Sequence, residues 1–281
     1  MKNYVIKLEN MNVHISEWGS ETKPVIFCLH GLGSSSLSFI EIAEQLKSEY
    51  RVIAIDGPGH GKTTPFPDAA AYEMPNIITW LNEVIKAIGI DQFYFLSHSW
   101  GSFVALFYVT KYRETVKDMI LIDGGYQTKR LWAGTMEEEM LEYKKDFDEC
   151  VFDSWEEFID AEKPVTSRWS HYLKMAVKNL GVEENGKIRW HASGETAANI
   201  IRAMHLDETE DIYAKLPKNI LLLRATLPIT KEELRRKTSE TFRNRAGGNV
   251  QQVQDATHML HWDHPAVVVD AIKSRWPKLD N

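Results

Sequence analysis

Ser97-His98-Ser99-Trp100-Gly101 stands between the apolar run Phe93 to Leu96 and a helix-forming stretch that opens at Trp100. A serine on so tight a strand-to-helix turn is presented for attack, because small residues two before and two after it let strand and helix approach while its hydroxyl stands clear of both. Gly101 meets that demand; Ser97 holds the position where glycine is more usual. Upstream, Val25-Ile26-Phe27-Cys28-Leu29 reads as a buried strand running into His30-Gly31-Leu32-Gly33-Ser34, a loop with free amides. Downstream, the strand-like Asn249 to Val253 leads into Asp255-Ala256-Thr257-His258-Met259-Leu260-His261-Trp262-Asp263-His264-Pro265, which sets a histidine after a strand and ahead of a helical tail.

Working outward, short apolar runs bounded by Gly, Pro, Asn or Asp alternate with longer amphipathic stretches, the pattern of strands and crossover helices in a mostly parallel sheet. Strands are expected at Tyr4 to Leu8, Val13 to Trp18, Val25 to Leu29, Arg51 to Ile55, Phe93 to Leu96, Met119 to Ile122, Asn219 to Arg224 and Asn249 to Val253, the first two as an antiparallel hairpin. Helices are expected at Leu37 to Lys47, Met74 to Ile88, Trp100 to Tyr112, Lys231 to Asn244 and Pro265 to Arg275. Between Gln127 and Leu216 the alternation stops. Met136, Met140, Tyr143, Phe147 and Val151 recur at helical spacing, Ser154 and Glu157 form a capping box, and further helices are expected at Ser167 to Leu180, closed by Gly181, and around Ala197 to Met204.

These segments, with Asp56-Gly57-Pro58-Gly59-His60-Gly61 after the fourth strand, resemble the α/β-hydrolase superfamily in order and spacing from Tyr4 to Trp276. The resemblance implies an α/β-hydrolase fold: a mostly parallel eight-stranded sheet flanked by helices, residues 1–126 and 217–281 forming the core domain and 127–216 an inserted helical cap. Such a cap commonly roofs the active site. Trp132, Trp155, Trp169 and Trp190 then serve cap packing or face substrate, and packing is the better expectation for any one of them.

A serine hydroxyl needs a base to attack at neutral pH. By resemblance that base is His258, in a loop that matches the superfamily's histidine loop, and the backbone amides of Leu32 and Trp100 form the oxyanion hole. The superfamily usually carries its acid after the seventh strand, yet Leu221 to Thr230 contains neither Asp or Glu. Glu232 and Glu233 follow, Glu233 explained by a capping box with Thr230. Asp123, ending the sixth strand, matches the position used by relatives such as haloalkane dehalogenases and is preferred over Glu232.

Gly57 to Thr63 is not a phosphate-binding loop, since Asp56 stands where that motif requires glycine and Pro65 and Pro67 block the helix that must follow. His258 to His264 has two residues rather than one between its first histidines, so it departs from a metal-dependent lactonase signature; no metal and no cofactor are expected. His261 and His264 read as structural or exposed. A haloalkane dehalogenase needs a carboxylate nucleophile, which Ser99 excludes. The expected activity is hydrolysis of a small-molecule ester or lactone through an acyl-enzyme on Ser99. The alternatives are a proline-iminopeptidase-like aminopeptidase, suggested by Ser-Trp-Gly and an acid-rich insert, and a slow or non-catalytic ligand-binding regulator. Composition agrees with a globular enzyme: 281 residues, 43% hydrophobic and 26% charged, with a net charge of −7 that gives no reason to expect nucleic acid or an anionic membrane as partner. Lys231, Arg235, Arg236, Lys237, Arg243 and Arg245 read as the solvated side of a helix. Cys28 and Cys150 make no disulfide framework, and with no signal-like start or membrane-length apolar run the expected location is the cytoplasm.

Overall fold

Residue-by-residue alternation within the strands decides how the sheet is covered, because successive side chains of a strand point to opposite faces. In the computed structural model, which describes residues 1–131 and 133–276, the main sheet contains β1 (Lys2–Leu8), β2 (Met11–Trp18), β3 (Val25–Leu29), β4 (Arg51–Ile55), β5 (Phe93–His98) and β6 (Val116–Ile122). The sheet is completed by β10 (Leu221–Ala225) and β11 (Asn249–Val253), and its order is β1-β2-β4-β3-β5-β6-β10-β11. β1 and β2 form an antiparallel hairpin and β2 runs antiparallel to β4; the remaining neighbours are parallel. Observed strand ends lie within a few residues of those expected.

Phe27, Ile53, Phe95 and Leu121 enter one core with α2 (Met74–Ala87) and α3 (Trp100–Lys111). Their strand neighbours Ile26, Val52, Leu96 and Ile120 enter a second with α1 (Ile40–Leu46) and α10 (Pro265–Arg275). Burial on both faces explains why these strands read as continuous apolar runs. Each fully buried side chain of this kind contributes roughly 1.5–3 kcal/mol. The expected helix Leu37 to Lys47 is split into a 3-10 turn, Ser36–Phe39, and α1.

Between β6 and β10 lie α4 (Met136–Glu149), α5 (Trp155–Glu162), α6 (His171–Lys178) and α7 (Gly194–Leu206), but this segment is not purely helical. β7 (Val151–Phe152), β8 (Gly181–Glu184) and β9 (Lys187–Trp190) form a three-stranded antiparallel sheet in the order β7-β9-β8. Gly181 therefore opens a strand rather than closing a helix, and α6 is shorter than the expected Ser167 to Leu180. Asn185-Gly186, both at positive φ, makes the hairpin turn, a dipeptide signal present in the sequence. Trp132 lies outside the described residues. Trp155 and Trp190 pack edge-on against Phe158, and the Lys163 ammonium lies over Trp169. No helix among the described residues is long and apolar enough to cross a membrane.

Candidate active site

β3, β5 and β6 are adjacent and parallel, so their C-terminal ends open on one edge, where open α/β sheets bind ligands. At the end of β5 the chain turns into α3 through Ser99, held at φ +51°, outside the usual regions for a residue with a side chain. Two close approaches build this turn. A Cβ on Gly101 would stand 2.4 Å from the Leu29 carbonyl oxygen, and one on Gly124 would stand 2.3 Å from that of Ser99. The buried Ser97 hydroxyl donates to Ser102 Oγ at 3.1 Å, which satisfies the polar atom that glycine would lack.

Ser99 Oγ lies 2.8 Å from His258 Nε2, and His258 Nδ1 lies 2.7 Å from Asp123 Oδ2. Asp123 is fully buried; its other oxygen accepts from the Tyr126 hydroxyl at 2.7 Å and from the Ala225 amide at 3.1 Å. Burial alone would raise this carboxyl, but the bond from His258, the charges of His258 and Arg235 and the Tyr126 hydroxyl together hold it below the ordinary range. An ionised acceptor at Nδ1 leaves Nε2 as the lone-pair nitrogen facing the serine.

The loop after β3 is pinned from both sides. His30 Nδ1 donates to the Gly31 carbonyl at 2.7 Å, and the Gly33 amide donates to His60 Nε2 at 3.0 Å. His60 is stacked on Trp100, and burial pushes it down to about 3, so it remains a neutral acceptor. A Cβ on Gly31 would be 2.8 Å from Ser99 Cβ, which sets this loop beside the serine. Among the described residues nothing accepts from the Leu32 or Trp100 amide. Trp100 is the first residue of α3, where no intrahelical partner exists.

Residues 24–166 match the model of the alpha/beta hydrolase fold family. The chain belongs to the alpha/beta hydrolase family. It is 32% identical over 106 residues to a zebrafish (Danio rerio) serine hydrolase-like protein, covering 38% of this chain and 32% of that one. It is 29% identical over 118 residues to human (Homo sapiens) epoxide hydrolase 4, covering 42% and 33% respectively. The matched segment thus spans about a third of the length of these relatives. Among solved structures, the thioesterase domain from the curacin biosynthetic pathway superposes with a TM-score of 0.78 at 18% identity, covering 97% of this chain and 99% of that one. E-2-(acetamidomethylene)succinate hydrolase gives 0.76, also at 18% identity, covering 97% and 98%. At such identities the likeness is one of fold.

In this alpha/beta hydrolase the second candidate acid is engaged elsewhere. Glu232 receives both Nη1 and Nη2 of the fully buried Arg224, at 2.7 and 2.8 Å. The expected Thr230–Glu233 capping box does not form: α8 (Glu232–Ala246) begins after a 3-10 turn, Ile229–Lys231, and has no side-chain cap. The basic side of α8 also needs correction. Arg235 is buried, on the face it shares with Thr238, Ser239, Phe242 and Ala246, and reaches the region of Asp123. An arginine in register with that buried face was the signal in the sequence.

Three further residues were not singled out from the sequence. His98, next to the serine, donates from Nε2 to the His258 carbonyl at 2.9 Å and so ties the histidine loop to the serine turn. Burial and the neighbouring His258 push it down to about 3, which keeps it uncharged. Its ring lies against His258 and His261, with centroids 4.9 and 4.5 Å away; His261 is itself buried, with Nε2 2.7 Å from Ser38 Oγ. Asp263 accepts from the Thr257 amide and hydroxyl, each at 2.7 Å, and from Thr166 Oγ1 at 2.9 Å, joining the histidine loop to the segment between β6 and β10. His60 came from a stretch read only as a structural turn. Among the described residues no cluster of His, Cys, Asp and Glu has metal-binding geometry.

Proposed function

We propose that this protein is a serine hydrolase that cleaves a small carboxylic ester or lactone through an acyl-enzyme on Ser99. The observation that carries this reading is the continuous relay of Ser99 Oγ, His258 and Asp123, with contacts of 2.8 and 2.7 Å. In this reading His258 Nε2 takes the hydroxyl proton as Ser99 Oγ bonds to the substrate carbonyl carbon, and Asp123 stabilises the resulting imidazolium. The carbonyl oxygen, now negative, is met by the Leu32 and Trp100 amides. Collapse of the tetrahedral intermediate breaks the bond to the alcohol oxygen, which receives the proton from His258. Water then repeats the sequence on the acyl-serine, releasing the acid and restoring the hydroxyl.

The nucleophile also separates this chemistry from that named for the epoxide hydrolase relatives. Opening an epoxide with a serine oxygen would leave an ether, which water does not cleave under mild conditions; attack on a carbonyl leaves an ester, which it does. The intact relay supports an enzyme over a non-catalytic ligand-binding regulator. Among the described residues no contact of the site favours the aminopeptidase reading.

The test is hydrolysis of p-nitrophenyl esters from acetate to dodecanoate, together with covalent labelling by a fluorophosphonate, in the wild type and Ser99→Ala. Turnover and a mass adduct, both abolished by the substitution, are expected. Labelling or turnover that persists in Ser99→Ala refutes the assignment, as does a wild type that is neither labelled nor active.

A further inference from the structure

The loop that follows β10, where relatives usually carry the acid, offers no carboxylate; it is occupied by a cation. Arg235 reaches it from α8 with only 6% of its side chain exposed, and its Nη1 donates to the Leu227 carbonyl at 2.6 Å. Its Nη2 lies 3.6 Å from Asp123 Oδ2, the oxygen that also faces His258 Nδ1. That separation is too long for a hydrogen bond, so Arg235 acts on Asp123 through charge. The adjacent cation Arg224 is neutralised by its two bonds to Glu232. Asp123 is therefore the carboxylate within ion-pair distance of Arg235 among the described residues.

The charged and titratable groups facing the pair come from every element around it. Asp123 meets Arg235 from α8, Tyr126 from the loop after β6, His258 from the loop after β11, and more distantly Arg224 from β10. His258 meets Asp123, His98 from β5 and His261 from the short helix α9 (Leu260–Asp263); both of those histidines are uncharged by burial. Arg235 in turn meets Tyr126 and, on its own helix, Glu232, whose two hydrogen bonds go to Arg224; among the described residues it is the arginine or lysine within ion-pair distance of the acid.

We propose that Arg235 is a positioning residue that sets the pH range over which Ser99 reacts: anchored on the Leu227 carbonyl, it opposes the Asp123 oxygen that faces His258. The proposal rests on the serine-histidine-acid reading above. A carboxylate against an imidazole favours the protonated ring, and a cation behind the same oxygen opposes this. The guanidinium stands 3.6 Å from the carboxylate oxygen that lies 2.7 Å from His258 Nδ1, so cation and ring act on one and the same oxygen.

The experiment is the rate of fluorophosphonate labelling of Ser99 across roughly pH 5 to 9. It is followed by intact mass and needs no knowledge of the substrate. Wild type and the exposed same-helix control Arg236→Gln are expected to share one inflection. Arg235→Gln and the shape-conserving Arg235→Met should move it upward by about one unit, and Arg235→Lys should bring it back toward wild type. An unmoved inflection in a folded Arg235→Gln or Arg235→Met overturns the proposal. So does loss of the fold in both with Arg235→Lys intact, which would assign the guanidinium to folding. A wild type that is not labelled, or a Ser99→Ala that is, defeats the serine-histidine-acid reading itself and is distinguishable from either result.

Discussion

Replacing Asp123 by Asn removes one charge and leaves a side chain that fits its site in neither orientation. If the amide NH2 takes the place of Oδ1, it opposes the Ala225 N–H, a donor 3.1 Å away, and leaves that buried amide unsatisfied. If it takes the place of Oδ2, it faces His258 Nδ1 at 2.7 Å and forces the tautomer whose Nε2 carries a proton and cannot accept one from Ser99. The charge lost matters when the imidazolium forms: two unit charges about 4 Å apart at an effective dielectric near 20 attract by about 4 kcal/mol. With 42% of the His258 side chain exposed, solvent reduces this to about 2–3 kcal/mol. Added to the tautomer cost, the loss in kcat/KM on a p-nitrophenyl ester is about 10³-fold. Glu232→Gln, whose carboxylate lies on Arg224, should remain within about threefold of wild type. A loss below tenfold in folded Asp123→Asn, or the larger loss in Glu232→Gln, would refute the reasoning.

Two further predictions concern packing and pH. Gly124→Ala would put a methyl 2.3 Å from the Ser99 carbonyl oxygen and 2.5 Å from its Cα, both backbone atoms that cannot swing aside. It should cost about 2 kcal/mol or more in urea unfolding and nearly abolish Ser99 labelling; a variant within about 0.5 kcal/mol of wild type contradicts this packing. Glu162 is buried at the end of α5, and burial lifts its carboxyl to about 7. The folded form therefore holds a proton that the unfolded chain releases, so the native state loses stability as pH rises from about 4.5 to about 7, by about 3 kcal/mol in all. Glu162→Gln should accordingly unfold several degrees higher than wild type at pH 8 and at the same temperature at pH 4. An equal difference at both pH values would show that the carboxyl is not the cause.

Much of this architecture is local in origin and was legible in the chain. β3, β4, β11 and α10 occupy the ranges expected from their apolar patterns, and the serine turn follows from a strand, a small residue and a helix in direct succession. The antiparallel hairpin of β8 and β9 was missed because its two strands are only four residues long and largely charged, so they carry no apolar run, although Asn185-Gly186 announced the turn. The burial of Arg235 was missed because an arginine among charged neighbours reads as solvent-facing until its carboxylate partner, more than a hundred positions earlier, is known.

The sequence by itself determined the eight strands of the main sheet, most of the helices, the order of serine before histidine and the loop with free amides, since each depends on residues within a few positions of one another. Only the tertiary structure decided which carboxylate stands behind His258, because that choice depends on which side chains meet at the edge of the sheet. Asp123 and Glu232 are both available in the chain. Arg224 draws Glu232 away, while the adjacency of β6 and β5 sets Asp123 against the loop that carries His258. Distances through space, set by strand order and by the packing of α8, separate an acid that can hold an imidazolium from one that holds a guanidinium.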